Sequence, residues 1–273
     1  MPATYAHYRF GAQMLRQMPG DLSRTTKRYR RLFDVGLHGP DLFFFYRPVF
    51  STKTGRLGHK LHMQTGKEFF SRACRNLRLE PSEAGQAYLY GVLCHYVLDA
   101  HCHPLVVQAD WEGPVSHSRI EAEFDRFLME RDGICPPKEM RLTKHMTLTD
   151  PECSTVSRFY AGTNGKMIRE SLRGMVTIRK IMEMPEGPVR EALTKTMSVG
   201  SQVFRDMIVR PLPDPDCSHL NQPLLEKYQQ AAKVFPGMLL RLSAHLTYNA
   251  PLGEEFDPIF GGERKEKKQE EHT

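Results

Sequence analysis

GVLCHYVLDAHCHPLVVQADWEGPVSHSRIE, residues 91–121, decides how the rest of the chain reads. It holds His95, Asp99, His101, His103, His117 and Glu121, all side chains able to bind a metal. His95, Asp99 and His103 stand at i, i+4 and i+8. On a helix of 3.6 residues per turn they share one stripe, about 6 Å apart per step. That spacing lets neighbours share one cation or bridge two. The flanking Tyr88, Leu89, Tyr90, Val92, Leu93, Tyr96, Val97 and Leu98 are apolar, so the helix is expected to be largely buried. Buried ionisable groups are costly unless paired or metal-bound. Pro104 is expected to end the helix, because it lacks an N–H and disfavours helical geometry at the residue before it. His117-x-x-x-Glu121 then repeats the i, i+4 spacing. One such pair is common on helices without a metal; both sets in succession point to metal binding.

The 273 residues allow one large domain or two small ones, and 40% hydrophobic with 26% charged residues is ordinary for a globular protein. Helix formers dominate and alternating β-branched runs are nearly absent, so an all-α fold is expected. A formal charge of +6 and a pI near 9.0 suit an anionic substrate or a membrane surface. They support nucleic acid only weakly, and no specific nucleic-acid partner is expected. The six cysteines show no paired spacing. No signal peptide is read at the N-terminus, and no apolar run reaches the roughly 18 residues needed to span a bilayer. A cytoplasmic protein with reduced thiols is therefore expected. Cys94 and Cys102 flank the stripe and read as small core residues rather than ligands.

Outward from this centre, His7 precedes Phe10, Met14 and Leu15 of an amphipathic helix. Residues 21–35 read as a second helix, capped by Asp21 or Ser23, with Arg24, Lys27, Arg28, Arg30 and Arg31 as a basic cluster. Such a cluster is more often a solvated face, but it is the best candidate here for attracting phosphate. GLHGPDLFFFYRP follows as a loop that can place His38 and Asp41 into a cleft. Its Phe43, Phe44, Phe45 and Tyr46 read either as a pocket lining or as a core plug. His59 and His62, at i and i+3, are expected at the start of the next helix. Ser82 caps the central helix, and Asp150-Pro151-Glu152 reads as another cap. Packing helices are expected over 150–246, broken near Pro185–Pro188, Pro211–Pro215 and Pro236. The domain is expected to span 1–261, with a disordered charged tail at 262–273.

The pieces TYAHYRFG, GLHGPDLFF, GHKLH, CHYVLDAHCHP and SHSRIEAEF stand in an order that resembles the zinc-dependent phospholipase C family, over roughly residues 1–130. It also looks like the trinuclear-zinc single-strand nucleases that share that fold. The resemblance implies a multi-helix bundle with two or three zinc ions in a cleft. It implies Asp99 as the bridging carboxylate, with His95 beside it. His103, His117 and Glu121 would complete neighbouring sites, and His7 with His59 or His62 the remaining one. His62 is favoured because it lies deeper in the amphipathic pattern before Phe69 and Phe70. Asp41 would be a ligand and the base acting on water. The secreted phospholipases chelate zinc through an N-terminal tryptophan, whereas the only tryptophan here is Trp111 and the N-terminus reads Met-Pro. The spacing from Asp99 to His103 is shorter than in those enzymes, which leaves His101 as a rival ligand.

Zinc bound by nitrogen and carboxylate ligands lowers the pKa of its water towards about 7, and close ions stabilise both attacking and leaving oxygens at phosphorus. The expected activity is phosphoester hydrolysis, most simply of a phosphodiester by a metal-bound hydroxide, with Asp41 and Asp99 as catalytic residues. The expected substrate is a phospholipid or another small phosphoester, with peripheral membrane contact and with Phe43, Phe44 and Tyr46 on the substrate. A nuclease using the Arg24–Arg31 cluster, or a zinc-stabilised scaffold without activity, are the alternatives.

Overall fold

A computed structural model describes residues 4–46, 53–136, 143, 145–184, 187–197 and 203–262. Among these residues the fold is all helical, and the only extended pairing is an isolated antiparallel bridge between Thr65 and Ile259. The helices are α1 (Thr4–Gln17), α2 (Gly20–Arg28), α3 (Arg30–Gly36), α4 (Lys53–His62), α5 (Gly66–Leu79), α6 (Glu83–Glu112), α7 (His117–Arg131), α8 (Asp150–Ser157), α9 (Gly165–Met182), α10 (Pro188–Met197), α11 (Val203–Asp206) and α12 (Asn221–Tyr248). A 3-10 helix at Gly39–Phe45 sits between α3 and α4. Among the described residues no helix is long and apolar enough to cross a membrane.

α6 is the axis. Ser82 caps it by accepting a hydrogen bond from the Gly85 N–H. From Ala87 to Asp99 every residue is buried, so the helix has no solvent face and is packed on all sides. α3 lies on it almost backbone to backbone. A Cβ on Gly36 would sit 2.4 Å from the Tyr88 carbonyl oxygen, and one on Gly91 2.2 Å from that of Phe33. Only glycine at both positions allows this approach, which aims the chain leaving α3 at His95. α1, α7 and α12 pack around the same axis. The segment 250–262 straps across one side, burying Phe256 and Phe260 against Phe70 and Tyr96. Each buried phenylalanine contributes roughly 2–3 kcal/mol of transfer free energy. Backbone hydrogen bonds tie the strap to the end of α4, from Gly261 N to His62 O at 2.8 Å and from Phe260 N to Gln64 O at 3.3 Å.

Several sequence expectations are corrected. α6 does not end at Pro104 but runs through it to Glu112. The proline forgoes a bond to the Ala100 carbonyl, yet Ala100 is half-buried, so water can reach that side, while Val106 beyond it is packed in the core. α12 likewise continues through Pro236, held by buried Phe235, Met238, Leu239 and Leu242. Residues 21–35 are two helices broken at Tyr29, and α2 opens after Pro19 without a side-chain cap, so neither Asp21 nor Ser23 caps it. His59 and His62 lie at the end of α4, not at the start of a helix; α5 begins separately, with a capping box between Thr65 and Glu68. At α8 the cap is Thr149, whose N–H and hydroxyl both donate to Glu152. The charged stretch from 263 onward lies outside the described residues.

Candidate metal centre

The α6 stripe brings His95, Asp99 and His103 to one line, and four other segments, α1, the 3-10 helix, α4 and α7, deliver side chains to it. His7 comes from α1 and stacks on His95, with ring centroids 4.4 Å apart. Its Nε2 is 3.2 Å from Asp99 Oδ1, while His95 Nε2 is 3.0 Å from Asp99 Oδ2. Asp41, from the 3-10 helix, places Oδ1 2.9 Å from His62 Nε2. From α7, Glu121 Oε1 lies 3.3 Å from His103 Nε2 and 3.2 Å from His117 Nε2. His103 Nε2 in turn lies 3.5 Å from Asp99 Oδ1. Three ligand groups result: His7, His95 and Asp99; Asp41, His62 and His95; His103, His117 and Glu121. His95 belongs to two of them, and Asp99 reaches from the first towards the third.

The backbone orients these imidazoles. His62 Nδ1 donates to the Gly58 carbonyl at 2.7 Å, His95 Nδ1 to Leu37 at 3.2 Å and His103 Nδ1 to Phe260 at 2.8 Å. A carbonyl only accepts, so Nδ1 carries the hydrogen in each ring and Nε2 presents its lone pair to the cluster. The Leu37 carbonyl reaches His95 because the next turn is made by Gly39 at φ +45°, where a Cβ would strike the His95 ring at 2.6 Å.

The donor set fits zinc. His62 Nε2, His95 Nε2, His117 Nε2 and Asp99 Oδ2 are buried without hydrogen-bond geometry, although His62 lies 2.9 Å from Asp41, His95 3.0 Å from Asp99 and His117 3.2 Å from Glu121. A tetrahedral ion with bonds of about 2.0–2.1 Å holds its ligand atoms about 3.3 Å apart, close to these separations. Burial alone would raise the Asp99 carboxyl, but His103, His95 and His7 hold it well below the usual carboxylate range. Glu121 is likewise held low against burial by His117 and His103, and Asp41 by His95 and His62. The carboxylates are thus ionised and ready as ligands.

Other expected residues lie elsewhere. His101 turns away, its Nδ1 donating to the Val97 carbonyl at 2.8 Å, and joins none of the three groups. His59 is exposed and meets the edge of Phe44, so it too stands outside the groups. Phe43 is fully buried and packs edge-on against Tyr160, which makes it core rather than pocket lining. Phe44 is half-buried against the His62 ring at 5.2 Å, and Tyr46 is half-buried. Cys94 and Cys102 are buried, and burial pushes both thiols up, away from the thiolate a metal needs. In the basic cluster, Arg24 pairs with Asp21, Arg28 with Glu83, Arg30 with Asp34 and Arg31 with Glu152, which spends those charges internally.

Sequence reading missed three features beside the cluster. Asp125 of α7 accepts the Tyr5 and Ala6 N–H groups at 3.0 and 2.8 Å, fixing the end of α1 that carries His7. Burial raises its pKa to about 7. His38 and His145 face each other, Nε2 to Nε2, at 3.0 Å, and Tyr8 stacks on His145. Burial depresses both, His145 to about 4. Arg179 is fully buried on α9, and burial lowers its pKa. His38 stood in the GLHGPD loop already singled out; Asp125, His145 and Arg179 carry no local signal, because their partners lie far away in sequence.

The model of one protein family, described as zinc dependent phospholipase C, matches residues 6–169, more than half of the chain and every residue of the three groups. No curated protein and no solved structure matches.

Proposed function

The chain belongs to the zinc-dependent phospholipase C family, and from that premise we propose that it is a phosphodiesterase that removes the phosphorylated headgroup from a phospholipid. The observation that carries this reading is Asp99, whose two carboxylate oxygens face different histidines, His95 on one and His7 with His103 on the other. That is the arrangement needed to hold ions close enough to act on one phosphoryl group. His7, Asp41, His62, His95, Asp99, His103, His117 and Glu121 would hold two or three zinc ions. Zinc would supply Lewis-acid polarisation of a phosphoryl oxygen and an acidified water near neutral pH.

The residues of the chain do the rest. Asp41, ionised beside His95 and His62, is assigned as the base that takes the proton of the attacking water at a carboxylate oxygen. Asp99, 2% exposed, keeps the histidines of neighbouring groups in register. Half-buried Phe44, against His62, borders the ligands with an apolar face suited to the glycerol end of the lipid. The water oxygen bonds to phosphorus, the ester bond to glycerol breaks, and diacylglycerol leaves after gaining a proton. The test compares zinc-loaded protein on a short-chain phosphatidylcholine and on a single-stranded oligonucleotide. Headgroup release that is lost with chelator and in Asp99→Ala is expected. Full lipid hydrolysis by zinc-loaded Asp99→Ala would refute the reading, and cleavage of the oligonucleotide alone would replace it with a nuclease.

A further inference from the structure

His7 stands in the first turns of α1, and the way that end of the helix is held bears on the metal centre. Phe10, Met14 and Leu15 pin α1 to the core after His7, and Tyr5 and Ala6 pack before it. The first backbone N–H groups of a helix have no acceptor within the helix, and a polar residue just ahead of it is the usual partner. The residue ahead of α1 is Ala3, whose side chain has no acceptor. The acceptor comes instead from α7, 120 residues on from Tyr5. Asp125 Oδ2 accepts the Tyr5 N–H at 3.0 Å, and Oδ1 accepts the Ala6 N–H at 2.8 Å. Asp125 is fully buried.

Glu121, Asp125 and Asp132 fall on one face of α7, Asp132 at its C-terminal cap. Asp132 also grips α1, but differently. It accepts the Tyr5 hydroxyl at 2.6 Å and the Arg9 Nε and Nη2 at 2.6 and 2.9 Å, with 28% of its side chain exposed. Those contacts hold the tips of two side chains. Asp125 holds the backbone of the residue joined to His7, and so sets where the His7 imidazole starts from. That imidazole must bring Nε2 to within 3.2 Å of Asp99 Oδ1. We propose that Asp125 is a positioning residue of the metal centre. It holds His7 against Asp99, and so ties the ion bound through His7 to the helix that carries His117 and Glu121. Glu121 and Asp125, one turn apart, then serve different groups, the first by its own oxygen and the second from behind. The inference rests on the reading of the three groups as a zinc centre and requires no particular substrate.

The experiment measures zinc per chain after dialysis of the zinc-loaded full chain against chelators of rising strength. Asp125→Asn keeps the size of the side chain but offers one accepting oxygen in place of two. Partners behind a metal ligand are typically worth about 10- to 100-fold in affinity, so the variant should release one ion that much more readily and keep the rest. His7→Ala should lose the same ion. In cobalt-substituted protein, the visible absorption missing from both variants should therefore be the same. Adding Asp125→Asn to His7→Ala should cost no further metal, because Asp125 acts through His7. Asp132→Asn, at the part-exposed grip, should leave zinc unchanged. Amide exchange in the unaltered protein supplies a readout without variants, since the Tyr5 and Ala6 amides should exchange slowly. An Asp125→Asn variant that holds every ion as the parent does, an equal loss in Asp132→Asn, or a further loss in the double variant would overturn the positioning role. So would Tyr5 and Ala6 amides that exchange as in an open chain. A parent that binds no zinc would overturn the metal centre and this inference with it, whereas zinc retained alike by parent and Asp125→Asn would overturn the positioning role alone.

Discussion

Asp99→Asn probes the metal centre at its most shared ligand. The substitution keeps size and shape but removes the charge and leaves one oxygen where two now face different histidines. Structural zinc sites are worth about 10–16 kcal/mol, or about 2.5–4 kcal/mol for each of four ligands. At about 1.4 kcal/mol per factor of ten, losing one carboxylate ligand weakens binding about 10²- to 10³-fold. Because one oxygen of Asp99 faces His95 and the other faces His7 and His103, the loss should reach more than one ion. The metal-free variant should melt near the metal-free parent, since the amide fills the same buried space. Zinc per chain, measured by elemental mass spectrometry after dialysis against chelators of increasing strength, is the assay, with melting midpoints run alongside. The variant should release zinc to a chelator that the parent resists, and zinc should raise its midpoint less. A variant that holds as much zinc as the parent through the whole series would refute the bridging role.

The adjacent histidines of α6 separate cleanly. His103→Ala should lower zinc content while His101→Ala leaves it unchanged, because only His103 faces Asp99 and Glu121; equal losses in both would contradict the orientation described. The buried pair beside the centre makes a pH prediction. His145 has a folded pKa near 4 against an ordinary value of 6.5, so between those values the unfolded chain binds the proton more tightly. Its contribution is fully present above about pH 6.5 and is lost as pH falls towards 4, by up to about 3 kcal/mol at about 1.4 kcal/mol per pH unit. Relative to the parent, His145→Gln should therefore gain stability as pH drops through this window; melts showing a constant difference between pH 4 and 6.5 would rule that out.

What was legible in the sequence was whatever repeats at short range. The four-residue spacing of His95, Asp99 and His103, and of His117 and Glu121, survives in the structure because helix geometry alone puts such residues on one line. The all-helical architecture follows from the same periodicity. The helix ends were harder. Pro104 and Pro236 carry strong local signals for termination, and packing on both sides of each proline overrides them. The choice of His62 followed from its place in the amphipathic pattern, but the Gly58 carbonyl that sets its tautomer could not be read from composition. The same holds for the carbonyls of Leu37 and Phe260, which meet their histidines across 58 and 157 residues. Asp125, His145 and Arg179 show why sites are read incompletely from one sequence. Their roles rest on burial and on distant partners, and neither leaves a spacing to find.

The bond from His103 to Phe260 also orders events in time. The last residue of the three groups is Glu121, yet one imidazole takes its orientation from a carbonyl near the far end of the described chain. At about 5–20 residues per second, a ribosome needs roughly 7–28 s to go from Glu121 to Phe260. Throughout that interval all eight residues of the three groups have been synthesised, but the strap that orients His103 and closes over α4 has not. A chain still on the ribosome therefore carries all eight side chains before the carbonyl that orients His103 has been made.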